Sequence, residues 1–273
     1  MAHSVRTADL GGNLRLPYAD QGEPSGLPLV LVHGFGDSHR SFDLVLEHLP
    51  ASIHVVAPTQ RGHGVAARPP TGYGLPDLAA DLLAFMDSVG LDQAVIAGHS
   101  MGSAVALRFA IDHPERTAGL VLAGAASGMK GTPAAREFWE TTVSKLTDPV
   151  DPGIVRVMTE VILAAPVPRE FVETMTGEGA KVPAFVWKAV FESRWRLEGD
   201  FSDQLGQVKA PVLVVWGDRD ARYPRSQQDE LLSAIPDSRL VVYPGAGHLL
   251  HWEEPERFAA DLTAFVEELH PRE

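Results

Sequence analysis

The chain has 273 residues, a net charge of −13 and an apolar fraction of 45%. That length suits one large domain or two small ones, and that apolar fraction is ample for a buried core. The acidic balance without a basic block excludes nucleic acid as an expected partner, the lack of cysteine excludes disulfides and a thiol nucleophile, and no run approaches the ~20 apolar residues of a membrane span. Residues 1–9 carry no apolar signal core, so the expectation is a cytoplasmic protein away from membranes.

In chain order, residues 13–20 read as an early strand and 29–32 as a buried one, followed by His33-Gly34-Phe35-Gly36. Residues 53–57 form another apolar strand. Leu78, Leu82, Phe85, Met86 and Val89 then recur at helical spacing behind Pro76-Asp77, a good helix start. A β-branched run over 94–97 meets Gly98-His99-Ser100-Met101-Gly102, and a helix-forming segment follows. Residues 120–122 are again strand-like. Strands alternating with helices imply an α/β domain with a mostly parallel sheet.

The rhythm breaks after residue 125. Over 126–207 no buried parallel strand is evident. Proline-opened helices are predicted instead over 133–146, 152–165, 168–175 and 183–197. Strands return at 212–216 and 239–243. The chain is therefore read as one catalytic domain, residues 1–125 and 208–273, interrupted by a helical cap over 126–207. Two sequential domains are the alternative, disfavoured by the return of strands near the end.

The order strand, Gly-x-Ser-x-Gly, helix is that of a nucleophile elbow. The chain reverses at Ser100, and a Cβ at Gly98 or Gly102 would crowd the turn. The Met101 amide then sits at a helix N-terminus, suited to a developing oxyanion. A serine hydroxyl needs a base, usually a histidine oriented by a carboxylate. Two downstream loops fit, each just past a predicted strand: Gly217-Asp218-Arg219-Asp220 and Gly245-Ala246-Gly247-His248. The carboxyl edge of an open parallel sheet is where such loops converge.

With these motifs in order, the chain resembles the α/β-hydrolase superfamily over nearly its whole length, and within it the capped serine esterases and lactonases. The resemblance implies an eight-stranded, mostly parallel sheet flanked by helices, with the cap after the sixth strand. It implies Ser100 as nucleophile, His248 as base and Asp220 as acid. Asp218 is the rival acid, with turn capping as its alternative role. His33-Gly34-Phe35-Gly36 is similar to the oxyanion loop, so the Phe35 amide would join that of Met101. Glu254-Pro255-Glu256-Arg257-Phe258 matches the usual opening of the last helix. An aspartate is usual where Thr59 stands, a serine where Ala66 stands and a glycine where Ser103 stands; the serine side chain is expected to tighten or shift the elbow helix. An aspartate at position 100 would have pointed to a dehalogenase or epoxide hydrolase.

His33, His99 and His251 are read as packed structural histidines. Trp187, Phe191 and Trp195 recur every four residues on a predicted helix, and Phe138 and Trp139 lie on another. These aromatics either pack the cap or line an apolar substrate pocket. No His-Glu-x-x-His run and no Gly-x-Gly-x-x-Gly after a strand occur, and His248, His251 and Glu253 make a weak ligand set, so no metal and no cofactor are expected.

The expected function is cleavage of a small to medium carboxylic ester or lactone through an acyl-enzyme. A small molecule is the expected partner, and a monomer or a homodimer would serve equally. The same triad also supports carbon–carbon bond hydrolysis, perhydrolase or haloperoxidase-like chemistry, or an aminopeptidase. The last would want a carboxylate in the pocket, with Glu137, Glu140, Glu160, Glu170 and Glu173 as candidates. A small-molecule receptor that retains the triad is a reading of another class, disfavoured by the intact acid and base.

Overall fold

The computed structural model describes residues 3–129, 132–194 and 203–270. Strands β1 (Ser4–Asp9), β2 (Arg15–Gln21) and β3 (Leu27–Val32) open the chain, followed by the short helix α1 (Asp43–Leu46). Then come β4 (Ile53–Pro58), α2 (Leu75–Ser88), β5 (Ala94–His99), α3 (Met101–Asp112) and β6 (Thr117–Ala123). Helices α4 (Pro133–Thr141), α5 (Pro152–Glu160), α6 (Arg169–Ala180) and α7 (Ala184–Glu192) occupy the long connection between strands. The chain ends with β7 (Val212–Gly217), α8 (Arg225–Ala234), β8 (Ser238–Tyr243), α9 (Leu250–Glu253) and α10 (Pro255–Leu269).

The strands form one eight-stranded sheet in the order β1-β2-β4-β3-β5-β6-β7-β8. Pairing is parallel from β4 through β8, whereas β2 runs antiparallel to both β1 and β4. The α/β class and the mostly parallel sheet are thus as the sequence implies. Strand β1 lies outside the strands read from the sequence. Only Ala8 in it is buried, so it lacks the apolar pattern of a core strand and is held by its hairpin to β2. Asn13, predicted as strand, lies in that hairpin turn at φ 66°, next to Gly11 and Gly12.

The central strands are mostly apolar and buried because both faces are covered. Val30, Ile96, Leu122 and Val214 point into one core with α2, α3 and α8. Their neighbours Leu31, Ala97, Val121 and Leu213 point into the other, against α1, α9 and α10. This period of two is what a two-sided sheet requires.

In the helical connection, two predicted helices run shorter than expected. The helix expected over 152–165 stops at Glu160. Beyond it the Ile162 carbonyl accepts from the His248 amide at 3.1 Å, and the Ala164 and Ala165 amides donate to Glu253. Tertiary partners claim the groups that a further turn would have used. The helix expected over 133–146 ends at Thr141 and gives way to a short 3-10 turn, Val143–Lys145. Helix α6 instead runs on through Gly177 and Gly179, and at Gly179 a Cβ would meet Val155 of α5 at 2.7 Å. Among the described residues no helix is long and apolar enough to cross a membrane.

The elbow depends on two absent side chains. A Cβ at Gly98 would overlap the Gly102 carbonyl, and one at Gly102 would overlap the Val32 carbonyl. Gly102→Ala is therefore expected to cost about 2–3 kcal/mol and lower Tm by roughly 5–10 °C. Gly177→Ala, on an open part of α6 with nothing within 4 Å, should raise stability by about 0.5–1 kcal/mol. Thermal denaturation of the two variants tests the contrast; equal midpoints would count against the close approach of α3 to β3.

Candidate active site

Ser100 joins β5 to α3 at φ 52° and ψ −111°. This conformation is costly for a residue with a Cβ, on the order of 1–3 kcal/mol. Its surroundings hold it there. The Ser100 amide donates to the Ala123 carbonyl at 2.9 Å. The Ser103 hydroxyl lies 2.7 Å from the Gly98 carbonyl and 3.0 Å from that of Ala123, tying the first turn of α3 to the ends of β5 and β6. The serine at 103 thus tightens the elbow.

Loops after β7 and β8 bring the other two residues. Ser100 Oγ lies 2.9 Å from His248 Nε2, and His248 Nδ1 lies 2.9 Å from Asp220 Oδ2. An ionised carboxylate can only accept, so Nδ1 carries the proton and Nε2 turns a lone pair to the serine hydroxyl. Burial pushes the Asp220 carboxyl up, but His248 and the Arg222 and Tyr223 amides more than reverse this and hold it below the usual carboxylate range. Those amides donate to Oδ1 at 2.7 and 3.1 Å. Asp218, the rival acid, instead accepts from the Gly245 amide at 2.7 Å and ties the two loops together.

The histidine loop is stitched to the helical connection. The Glu253 carboxylate accepts from the Gly247, Ala164 and Ala165 amides at 2.8, 3.3 and 3.0 Å. The His99 ring, inside the elbow, has Nε2 at 2.9 Å from the His248 carbonyl, to which it donates. Burial, aided by nearby His248, pushes His99 down to about 3, so it stays neutral. His251 is fully buried beside it, with ring centroids 4.1 Å apart, and bonds to Ser41 at 3.0 Å. His33 accepts from the Gln60 amide at 3.0 Å through Nε2, which leaves Nδ1–H to donate to the Gly34 carbonyl at 2.8 Å. Thr59, where an aspartate is usual, bonds to His39 at 2.7 Å, and burial pushes that histidine down to about 4. These histidines are committed to protein partners. Among the described residues no group of His, Asp and Glu is placed to hold a metal ion.

A cavity of about 100 Å³ opens at Ser100 and His248, lined from both the sheet loops and the helical connection. Phe35, Phe138, Trp187 and Phe191 line it, so aromatic packing and pocket lining are one role. Phe35 and Trp187 meet edge to face at 4.4 Å. Trp139 does not line it and stacks on Phe191 at 6.3 Å. Trp195 lies outside the described residues. The Met101 side chain is buried with Tyr73 and Trp187, away from the lining. Among the described residues, the Phe35 and Met101 amides donate to no protein acceptor. Glu137, Glu140, Glu160, Glu170 and Glu173 are exposed and off the cavity.

Sequence reading missed the ionisable groups that do line the cavity: Asp37, Arg194 and Arg222. Asp37 was legible only as the residue after His33-Gly34-Phe35-Gly36. Burial pushes its carboxyl up to about 7, against hydrogen bonds from Ser41 and the Gly34 backbone. In the unfolded chain it would titrate near ~4. The folded state therefore holds more protons between those values, and this group's contribution to stability falls as pH rises through that window. Asp37→Asn should remove the loss. Its Tm relative to the unsubstituted protein should be more favourable at about pH 8 than at about pH 5; a pH-independent difference would refute the shift.

The family model described as alpha/beta hydrolase fold matches residues 28–255. A dihydrolipoyllysine-residue acetyltransferase component of the acetoin cleaving system of Pseudomonas putida is 31% identical, over 95% of this chain and 68% of that one. A 2-hydroxy-6-oxononadienedioate/2-hydroxy-6-oxononatrienedioate hydrolase of Burkholderia vietnamiensis is 29% identical, over 96% of this chain and 94% of that one. Among solved structures, a thermophilic esterase from Thermogutta terrifontis superposes with a TM-score of 0.85 at 27% identity, covering 99% of this chain and all of that one (100%).

Proposed function

This chain belongs to the alpha/beta hydrolase fold family, and on that premise we propose that it is a serine hydrolase that cleaves a small or medium carboxylic ester or lactone. The observation that carries this reading is the line from Ser100 Oγ through His248 to Asp220, with both steps at 2.9 Å. His248 Nε2 takes the hydroxyl proton as Ser100 attacks the carbonyl carbon. The unused Phe35 and Met101 amides receive the oxyanion, a contact that opposes a barrier increase of roughly 3–4 kcal/mol per donor. Asp220 holds the imidazole tautomer and stabilises the imidazolium. His248 then returns the proton to the leaving alcohol, and the C–O bond breaks to leave an acyl-Ser100. Water then attacks the acyl carbon while His248 takes its proton, the bond from that carbon to Ser100 Oγ breaks, and His248 returns the proton to the serine oxygen as the acid leaves.

In this reading residues 126–207 act as the cap, and residues 1–125 and 208–273 as the catalytic domain. The lining of one cavity by Phe138, Trp187 and Phe191 together with Ser100 and His248 supports that division. A cavity of about 100 Å³ favours a compact substrate over a polymer.

Carbon–carbon bond hydrolysis is the second reading. It is favoured by the Burkholderia vietnamiensis relative, which matches nearly the whole chain. The same serine and oxyanion donors would act on a ketone, and the leaving group would be a carbanion in need of a proton.

Ser100→Ala should abolish turnover of p-nitrophenyl esters from acetate to decanoate and labelling by a fluorophosphonate. Asp220→Asn should lower kcat on the order of 10³–10⁴-fold, because it presents the wrong partner to the imidazole. Labelling of Ser100→Ala at an unchanged rate would overturn the assignment. Labelled protein with no ester turnover would shift weight to the carbon–carbon reading.

A further inference from the structure

Two guanidinium groups line the cavity that holds Ser100 and His248; among the described residues neither is in an ion pair, and the carboxylate that acts on Arg222 is Asp220, already committed to His248. Arg194 follows α7 and is 7% exposed. Among the described residues its Nε is buried without a hydrogen-bond partner, and its bond to the Tyr223 hydroxyl is long at 3.5 Å; that hydroxyl in turn points to the Met129 sulfur. Arg222 is half-buried and lies over the Phe138 ring at 4.5 Å. Both arginines are always charged near neutral pH, and buried charges are ordinarily paired.

The turn that carries Arg222 is rigid. The amides of Arg222 and Tyr223 donate to Asp220, and the Tyr223 carbonyl accepts from the Trp216 indole at 2.9 Å. The backbone beneath Arg222 is thereby fixed, and its guanidinium lies over Phe138 among the side chains that line the cavity. Among the described residues the carboxyl that lines the same cavity is that of Asp37, which burial raises to about 7. A protein of net charge −13 thus keeps a positively charged hole at its serine.

We propose that Arg194 and Arg222 form an anion subsite, and that the substrate carries a carboxylate on its acyl portion, as in a monoester of a dicarboxylic acid. Two planar guanidinium forks match the planar, two-oxygen geometry of a carboxylate. The acyl portion is the part matched to a subsite built inside the cavity, because it stays bound to Ser100 while the leaving group departs. The inference rests on the serine-hydrolase reading above and narrows it to anionic acyl groups.

The test compares mono-p-nitrophenyl glutarate with p-nitrophenyl pentanoate, which share the leaving group and the acyl length. The unsubstituted protein should favour the glutarate monoester in kcat/KM by at least about tenfold, or ~1.4 kcal/mol. The preference should survive high salt, because the subsite is buried. Arg194→Met and Arg222→Met should each lower the glutarate-to-pentanoate ratio, and Arg222→Lys, which keeps charge without the fork, should lower it less. Turnover of both esters with no preference would overturn the subsite and leave the hydrolase reading standing. Should neither ester be cleaved, calorimetric titration of Ser100→Ala with monomethyl glutarate decides separately. Binding that weakens in Ser100→Ala/Arg222→Met supports the subsite, whereas no binding, or equal binding, overturns it. The ester comparison in the unsubstituted protein needs no variant, so a misfolded variant would not shield the proposal.

Discussion

The structure turns on the close approach of α3 to β3 across Gly102. Without a side chain there, the helix begins almost on the Val32 carbonyl, and Ser100 is left at the apex in a left-handed conformation that a serine would not choose. The strain is confined to one residue. It is offset by packing around it: buried cores on both faces of the sheet hold β5, and one of them also holds α3. Strained conformations persist where the surroundings over-determine them.

From that fixed point the rest of the site follows by sheet topology. Strands β5, β6, β7 and β8 lie side by side and parallel, so the loops at their carboxyl ends open at one edge. The loop after β7 carries Asp220 and the loop after β8 carries His248. These two loops are cross-linked by main chain: the Arg219 amide donates to the Ala246 carbonyl at 3.0 Å, and Asp218 caps Gly245. Glu253 then fastens the histidine loop to the helical connection. Residues far apart in sequence reach hydrogen-bond distance through rigid elements rather than long side chains, which favours pre-organised geometry.

Electrostatically, the site separates two kinds of burial. Behind the serine, His33, His99 and His251 are driven neutral by desolvation and serve as hydrogen-bonding struts. A charge on any of them would oppose a positive charge on the neighbouring His248. In front of the serine, the cavity wall carries the positive charge of Arg194 and Arg222, and burial raises the Asp37 carboxyl to about 7. Aromatic side chains from the body and the helical connection, Phe35, Phe138, Trp187 and Phe191, pack on one another along the same cavity. In such surroundings fixed dipoles and charges act on a substrate far more strongly than they would in water.

By itself the sequence determined the class of fold and the motifs of the elbow and the two downstream loops. Apolar runs of strand length mark buried strands, and glycines mark a turn that tolerates no Cβ; both signals are local. Strand β1 escaped because it is exposed and stays in place through pairing with β2, a contact no local pattern records. The early stop of α5 was illegible for the same reason, since its would-be hydrogen-bond partners are claimed by His248 and Glu253. The resemblance favoured Asp220 over Asp218, and tertiary structure added where each carboxylate lies: Asp220 against His248 and Asp218 against the Gly245 amide. Only tertiary structure gathered Asp37, Arg194 and Arg222 at one cavity. Each looks like an ordinary surface charge along the chain. Its meaning comes from burial and from the missing counter-charge, which are properties of three-dimensional surroundings and not of spacing.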